Sequence, residues 1–450
     1  MFKVLLVSIV YSAVSVDFSS ADSIKAATSK IAQQLMSYYR PYPANPPNAR
    51  EGHIIESTNH DETGFQWYEG GIMWGAMMEY MRATGDNQYT TTVVNGLTLG
   101  SSGKIGSFLG ANKVINGLAG RWNDDIMWWG LGVVTGPELF GNPTSVMPGG
   151  VSYLALIQST YDDVWAQWDD SCGGGIFWNR NRQDPNKSRK FLKSTITNAQ
   201  HINIGARLYL MTGNKTYIDN AVKTYNWLKG GIISSDFRIY DGVMSDSTCA
   251  NSMTDSKYLS DSYNPGTLAG ALAWLYKATG DQQYMTAAEN IAKKAMDLYS
   301  NNGVIQDRCE TSANGCAQDQ VSPKGTFIRG LAYVYMFTSN QDMKNLIQTT
   351  LQNSAKALIP MCDNNWNAYS DYWSTGKSVS TKSVHLQMNA LELFNALTLI
   401  SNNGQSAKLQ QPVSAPQTQP QAQPAPGPVD SSATALRALG AIVVVFFMVL

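Results

Sequence analysis

The chain of 450 residues has few charged side chains, and their signs balance. Only 15% of the residues are Asp, Glu, Lys or Arg, with 33 basic and 34 acidic residues and a formal net charge of -1. Nucleic-acid-binding proteins carry a basic patch, and many peripheral membrane proteins carry a polybasic segment. The composition predicts neither nucleic acid nor a charged membrane surface as a partner.

Residues typical of metal, phosphate and serine-nucleophile sites are also scarce. The four histidines are scattered along the chain, and no spacing typical of metal ligands occurs. There is no phosphate-binding loop and no Gly-x-Ser-x-Gly turn. The sequence therefore predicts no metal and no cofactor, and we interpret each histidine as structural. The histidines are His53, His60, His201 and His385.

Both ends of the chain carry patterns of secretory processing. Residues 1–20 combine a basic start, a short apolar run and small residues, which predicts a signal peptide. Residues 403–430 are rich in Pro and Gln and lack aromatics, which predicts an extended linker. Residues 431–450 predict a GPI-anchor signal attached at Ser431, with a short tail-anchored helix as the alternative. We expect a folded domain over residues 22–402, held at the outer face of the plasma membrane or in a cell wall.

A secretory route permits disulfides and N-glycans. Cys309 and Cys316 enclose a short polar loop and are the easiest pair to propose. A second pair of Cys172 with Cys249 would leave Cys362 single, although the sequence alone does not fix the connectivity. The predicted N-glycosylation acceptors are Asn186 and Asn214.

A degenerate six-residue repeat organises the folded domain. Residues 84–89 (Thr-Gly-Asp-Asn-Gln-Tyr) recur at 212–217 and 279–284, with weaker copies at 135–140 and 338–343. An apolar segment rich in small residues precedes nearly every copy, and an amphipathic segment follows. The Gly would end the first helix, and the Asp or Asn would cap the second. The repeat unit is therefore a buried helix, a turn and an amphipathic helix.

Five visible units need a sixth to close a ring. Predicted helices over residues 23–39 and 386–400 supply its two parts. The sequence thus predicts an all-α fold, an (α/α)6 barrel of six helix hairpins, with an open helical solenoid as the alternative. The loops that precede the inner helices would converge on one mouth. The polar and aromatic residues expected there are Trp67, Glu69, Trp178, Asn198, Tyr263, Asn264 and Lys324.

Two adjacent carboxylates, Asp124 and Asp125, stand among Trp122, Trp128 and Trp129. Apolar walls desolvate carboxyl groups and force the pKa values of a neighbouring pair apart. One charged and one protonated carboxyl are what a glycosidase uses, and flat aromatic faces suit a sugar ring. The alternative is an acidic helix start followed by core tryptophans. In the predicted barrel the pair begins an inner helix that ends at the turn of residues 135–140.

Taken together, these motifs resemble glycoside hydrolase family 76, the endo-α-1,6-mannanase family, and within it a fungal branch of GPI-anchored cell-wall proteins. The resemblance covers about residues 22–400. Its markers are Trp122, Asn123, the aspartate pair, Trp128 and Trp129; residues 172–178, 196–198 and 263–266; Cys309, Glu310 and Cys316; and Lys324, Gly325 and Arg329. The chain departs from the family pattern at residues 365–376, where no further cysteine follows Cys362.

The resemblance implies a retaining enzyme with Asp124 as nucleophile and Asp125 as general acid/base. The positive end of the helix should keep Asp124 ionised, while Asp125 should hold its proton. The implied substrate is α-1,6-mannan or the mannose core of a GPI anchor, with a β-glucan as acceptor if the sugar is transferred. We expect the marker and mouth residues Asn123 and Arg329, with the aromatic and polar side chains named above, to bind the substrate. A non-catalytic mannan-binding or wall-adhesion protein on the same fold is the alternative.

Overall fold

The computed structural model describes ten stretches of the chain. They are residues 14–39, 66–101, 107–109, 122–142, 146–147, 150–252, 257–313, 315–316, 323–377 and 383–409. Most of the predicted signal peptide, the linker beyond residue 409 and the GPI-anchor signal with Ser431 lie outside them, as do His53 and His60.

Twelve helices of eleven residues or more dominate these stretches, so the prediction of an all-α fold is confirmed. The helices, with one short helix α6, are α1 (Ala21–Ser37), α2 (Trp67–Thr84), α3 (Thr90–Gly100), α4 (Asn123–Phe140), α5 (Tyr153–Trp165), α6 (Lys187–Phe191), α7 (Thr195–Thr212), α8 (Lys215–Gly231), α9 (Tyr263–Thr279), α10 (Gln282–Leu298), α11 (Pro323–Phe337), α12 (Gln341–Leu358) and α13 (Val384–Ser401). Two short antiparallel ribbons accompany the helices: β1 (Leu192–Ser194) with β2 (Gly242–Met244), and β3 (Ser300–Asn301) with β4 (Val304–Ile305).

Six of the helices are buried on nearly all sides: α2, α4, α7, α9, α11 and α13. Each of these six helices contacts the next one of the six in chain order, and the last, α13, contacts the first, α2. Small residues allow these helices to approach closely. A Cβ atom added to Gly330 would overlap the carbonyl oxygen of Gly266, so the backbones of α11 and α9 touch. Helices such as α10 and α12 bury only one apolar face, as amphipathic outer helices do.

The threonine of the repeat has a specific role in the turns. Its side-chain oxygen accepts a hydrogen bond from the backbone N–H two residues later, at 2.9 to 3.2 Å, in four of the predicted turns. In the three stronger copies the following glycine has a φ of about 70°, which favours glycine. The four threonines are Thr84, Thr212, Thr279 and Thr338. These four turns confirm the predicted repeat.

The turn predicted at residues 135–140 is wrong. Helix α4 continues through this segment, with Pro137 inside it, and ends at Gly141, whose φ is 72°. Gly136 serves close packing instead of a turn, because a Cβ atom there would lie 2.5 Å from the ring of Tyr153 on α5. The segment also carries Glu138, which forms ion pairs with two neighbouring helices.

The six buried helices start at one common end of the fold. Glu69 of α2 pairs with His385 of α13 at 2.9 Å, and the N–H of Gly325 on α11 donates to Asn389 of α13 at 2.8 Å. We call this end the mouth, and the opposite end, where these helices finish, the far end. The first residues of the predicted linker lie on the far end. The N–H groups of Ala407 and Leu409 donate to the carbonyl oxygens of Arg82 and Leu139, at 2.8 and 2.9 Å.

Within the described residues, no helix combines the length and the apolar character needed to cross a bilayer. The two helices predicted outside the repeats, α1 and α13, are present, with bounds shifted by one or two residues.

Candidate active site

The aspartate pair lies in the first turn of α4, at the mouth. The backbone N–H of Trp122 donates to Oδ2 of Asp125 at 2.9 Å, and the indole N–H of Trp178 donates to Oδ2 of Asp124 at 2.8 Å. The rings of Trp122 and Trp178 pack edge to face, with 4.0 Å between their centroids. Oδ1 of Asp124 is buried and has no hydrogen-bond partner among the described residues. One oxygen of Asp124 is therefore held by Trp178, while the other is buried without a side-chain partner.

The electrostatics of Asp124 differ from the expectation drawn from the sequence. Burial, followed by the charge of Asp125, raises the pKa of Asp124 well above its usual range. The hydrogen bond from Trp178 lowers the pKa, but by less. This net increase opposes the prediction that the positive helix end keeps Asp124 ionised, because burial removes the hydration of the carboxylate.

A tight loop brings Trp178 to Asp124. We call residues 169–178 the glycine loop. Gly174 and Gly175 have φ angles of 129° and 103°, which side chains rarely permit. A Cβ atom on either glycine would lie 2.6 Å from an indole ring, that of Trp168 or Trp227. The loop therefore requires glycine at positions 174 and 175.

Two buried asparagines hold the end of the glycine loop. The side chain of Asn198 accepts from the N–H of Ile176 at 2.9 Å and donates to its carbonyl at 3.0 Å. The side chain of Asn123 donates to the carbonyl of Phe177 at 2.6 Å, and its backbone N–H donates to that of Trp178 at 3.1 Å. Both asparagines were predicted to bind substrate, but their polar atoms bind protein instead. They are positioning residues.

The start of α9 adds a second group of polar residues near the aspartate pair. Burial, followed by the negative charges of Asp241, Asp261 and Asp124, raises the pKa of Tyr263 well above its usual range. The side chain of Asn264 donates to Asp241 at 3.0 Å, while burial raises the pKa of Asp241. The structure thus brings Tyr263 and Asn264 together with Asp124, and it adds Asp241, which lies in no motif that the sequence reveals.

A small cleft of about 20 Å³ lies among the buried helices, and two of the predicted substrate-binding residues line it. Trp128 and Arg329 both line it, together with Tyr333. Arg329 donates from Nε to Glu392 at 3.0 Å, so its charge is neutralised within the protein. The other lining residues are Leu131, Asn203, Thr267, Gly270, Thr326 and Gly330.

The sequence pattern of glycosyl hydrolase family 76 matches residues 23–409 of the chain. The chain belongs to this family. The predicted family is therefore confirmed, and the chain is a glycoside hydrolase by membership.

Similar proteins of this family come from fungi and bacteria. The mannan endo-1,6-alpha-mannosidase DCW1 of Saccharomyces cerevisiae is 28% identical over 85% of this chain and 80% of its own length. The Dfg5 structure from Chaetomium thermophilum, solved with glucosamine, is 24% identical and covers 87% of this chain and 94% of that chain, with a TM-score of 0.73. An α-1,6-mannanase of Salegentibacter sp. HEL1_6 was solved with α-1,6-mannotriose as an inactive variant in which two consecutive aspartates are replaced by asparagine. It is 16% identical and covers 84% of this chain and 99% of that chain, with a TM-score of 0.67.

Two tryptophans of this family 76 chain belong to the core instead of the mouth. Trp67 and Trp129 are 1% and 0% exposed, and their rings stack 5.2 Å apart. The indole N–H of Trp129 donates to the carbonyl of Trp67 at 3.1 Å. A sugar cannot reach either ring, so the prediction that they bind substrate is wrong.

Glu69 and Lys324 are likewise enclosed by protein. Glu69 accepts from the N–H of Gln66 at 2.6 Å in addition to pairing with His385. Lys324 is fully buried and contacts Glu310 at 2.6 Å and Asp371 at 3.4 Å. These side chains fasten the starts of the buried helices, and the prediction that they touch substrate is wrong.

The remaining expectations concern metals, histidines and cysteines. Among the described residues, no group of three or more His, Cys, Asp or Glu is arranged to hold a metal. The ring of His201 stacks on those of Tyr161 and Trp165, with centroid distances of 4.1 and 5.0 Å, and burial lowers the pKa of His201 to about 3.

The predicted disulfides Cys172–Cys249 and Cys309–Cys316 are both confirmed, and Cys362 is free. The predicted glycosylation acceptors Asn186 and Asn214 are both exposed.

Proposed function

We propose that this chain is a retaining endo-1,6-α-mannosidase or transglycosidase, with Asp124 as nucleophile and Asp125 as general acid/base. The observation that carries the proposal is the state of Asp124: one oxygen is held by Trp178, and the other is buried without a partner. The names of the fungal relatives support the substrate. The inactive bacterial variant with two replaced aspartates supports the use of such a pair.

In the proposed reaction, Oδ1 of Asp124 attacks the anomeric carbon of a mannose unit. The bond to the leaving oxygen breaks, and Asp125 supplies the proton that this oxygen takes. Asp125 then removes a proton from water or from a sugar hydroxyl, whose oxygen displaces Asp124 and retains the anomeric configuration. The pair needs one proton, and in the free protein the raised pKa of Asp124 favours that carboxyl. For the attack, Asp124 must be ionised and Asp125 must hold the proton.

The expected natural substrate is α-1,6-mannan or the mannose core of a GPI anchor. Glucosamine bound to the Chaetomium relative supports a glycan that contains an amino sugar, as the GPI glycan does. A β-glucan acceptor would make the reaction a transfer of GPI-linked protein to the cell wall. Hydrolysis and transfer share the same covalent intermediate and differ only in the acceptor.

We further propose the (α/α)6 barrel as the architecture. The cyclic contacts of six buried helices support it, and so does the likeness to other family 76 structures. The signal peptide, the linker, the GPI attachment at Ser431 and N-glycans at Asn186 and Asn214 remain proposals. The position of Ala407 and Leu409 on the far end supports a linker that starts opposite the mouth.

A purified secreted domain tests the function. It would be incubated with an α-1,6-mannan fragment or a GPI glycan, with and without a β-glucan oligosaccharide, and the products analysed by mass. We expect shortened mannan, or a transfer product that appears only with the acceptor. A protein that binds the glycan but yields no product would instead be a non-catalytic mannan-binding or wall-adhesion protein, and the proposal would be wrong.

A further inference from the structure

The glycine loop encloses a buried lysine. Lys193 lies on β1 with its side chain fully buried. Its ammonium donates to the carbonyl oxygens of Asp169, Ser171 and Gly174, at 2.7, 2.7 and 2.9 Å, and to side-chain oxygens of Asp169 and Ser171, at 2.9 and 3.1 Å. All of these acceptors come from one six-residue stretch of the chain.

The shape of the loop explains why so many oxygens converge. Cys172, Gly173, Gly174 and Gly175 have consecutive positive φ angles, between 52° and 129°. Such a run curls the backbone so that carbonyl groups before it and within it point toward Lys193. A buried carbonyl without a partner destabilises the conformation, and a compact ammonium with three donors satisfies several at once. Lys193 therefore stabilises this particular curl.

Lys193 also directly follows Leu192, the residue of β1 that binds the backbone of Trp178. The N–H of Trp178 donates to the carbonyl of Leu192 at 2.9 Å, and the indole of Trp178 donates to Asp124 at 2.8 Å. A short covalent and hydrogen-bonded path thus links the ammonium to the nucleophile. The disulfide between Cys172 and Cys249 holds the outer side of the glycine loop, and Lys193 holds its inner side.

We propose that Lys193 is a positioning residue for the reaction, one that acts by holding the glycine loop so that Trp178 keeps its hydrogen bond to Asp124. The proposal rests on the proposed role of Asp124. Loss of the ammonium would free the loop, weaken the bond from Trp178 and leave Asp124 harder to ionise. Lys193 itself touches neither the aspartate pair nor the cleft that Trp128 lines.

The test follows the Trp178 indole by nitrogen-15 NMR in the unliganded domain as pH is varied. Trp178→Phe assigns the signal, and its midpoint reports the ionisation of Asp124. We expect Lys193→Met to move the midpoint upward by roughly half a pH unit or more, and to lower kcat by roughly tenfold with little change in KM. Asp169→Asn removes the only carboxylate among the acceptors and should cause a smaller shift in the same direction, which keeps the test available if Lys193→Met does not fold.

Lys223→Met is the matched control. Lys223 is 52% exposed and contacts the loop from outside, 4.3 Å above the Trp168 ring. We expect no change in the midpoint for this variant. A folded Lys193→Met protein with lower stability but an unmoved midpoint would overturn the proposal. The midpoint needs no turnover. If the wild-type protein were inactive and Lys193→Met still moved the midpoint, the mannosidase proposal would fail, and only the placement of Trp178 by Lys193 would stand.

Discussion

The two ends of the barrel-like core both bury carboxylates, but they treat them differently. At the far end, Glu138 accepts from Arg82 at 2.7 Å and from Arg207 at 2.6 Å, and despite its burial these charges lower its pKa. At the mouth, Asp124 has an indole and a second carboxyl as neighbours, and its pKa is raised. A buried carboxylate paired with arginine serves stability, whereas one left without a cation is costly to keep and is therefore a candidate for chemistry.

The two carboxylates also have opposite effects on stability as pH changes. The pKa of Glu138 is lower in the folded state, so its contribution is present at neutral pH and is lost as pH falls through the folded-state pKa. The pKa of Asp124 is higher in the folded state, so its charge destabilises the fold at neutral pH. That penalty disappears as pH falls through the raised pKa toward the unfolded value of about 3.9.

The largest expected effect is the loss of catalysis when either aspartate at the mouth is replaced. Asp124→Asn and Asp125→Asn should each lower kcat on an α-1,6-mannoside by roughly 10³-fold or more, because one removes the nucleophile and the other the acid/base. Circular dichroism and melting temperature should remain those of a folded domain. Near wild-type turnover by either variant on every α-1,6-mannoside tested would contradict the assignment of the pair.

The stereochemistry of azide rescue separates the two roles. With an aryl α-mannobioside that has a good leaving group, Asp125→Ala should still form the mannosyl-enzyme, and added azide should give an α-mannosyl azide. Asp124→Ala has no nucleophile, so azide should attack the opposite face and give the β product. The reverse pattern, read by proton NMR of the products, would exchange the roles of Asp124 and Asp125.

The next largest effect is a loss of stability when the buried ion pairs at the far end are broken. Glu138→Gln should lower the free energy of unfolding by about 3–5 kcal/mol, because it leaves Arg207 buried without a counter-charge. The specific activity of the folded fraction should not change. Asp236→Asn is the control, since Asp236 pairs with Arg238 at 3.0 Å but its side chain is 46% exposed. We expect about 1 kcal/mol or less for it, measured by urea denaturation. Equal losses for both variants would show that burial of the pair does not matter.

Sequence patterns captured the repeated features and missed the singular ones. The turns were predictable because the same threonine and glycine recur with the same local hydrogen bond. The segment at residues 135–140 resembles those turns, but tertiary packing against Tyr153 and ion pairs to Glu138 keep it helical. A local pattern cannot report those distant partners.

The site shows the same division between local and distant information. Asp124 and Asp125 were predictable because adjacent carboxyls among tryptophans are unusual. Whether an aromatic faces the cleft or the core depends on the helix face and on neighbours, so Trp67 and Trp129 could not be distinguished from Trp128. Asp241 and Lys193 lie in no repeat or motif, and only the packed chain brings them to the mouth.

A pH series sharpens the comparison of the two ends. At pH 7, Asp124→Asn should increase the free energy of unfolding, since it removes a charge that folding disfavours. The increase should shrink as pH falls and become small near pH 4, which is close to the unfolded-state pKa of about 3.9. The decrease in the free energy of unfolding caused by Glu138→Gln should persist to lower pH, because the folded-state pKa of Glu138 is lowered. Chemical denaturation from pH 4 to 7.5 measures both, and parallel curves would contradict the opposite pKa shifts.

The smallest expected effect concerns Tyr263 at the edge of the mouth. Its raised pKa keeps the hydroxyl protonated through neutral and moderately basic pH, so it can serve only as a neutral hydrogen-bonding group. Tyr263→Phe should therefore lower kcat/KM by roughly tenfold, as expected for one lost hydrogen bond at about 1.4 kcal/mol. The basic limb of the pH profile should stay where it is, because the aspartate pair sets it. Trp129→Phe, a core change away from the cleft, is the control and should leave kcat/KM unchanged in the folded fraction. A basic limb that moves in Tyr263→Phe would mean that the tyrosine takes part in the proton transfer itself.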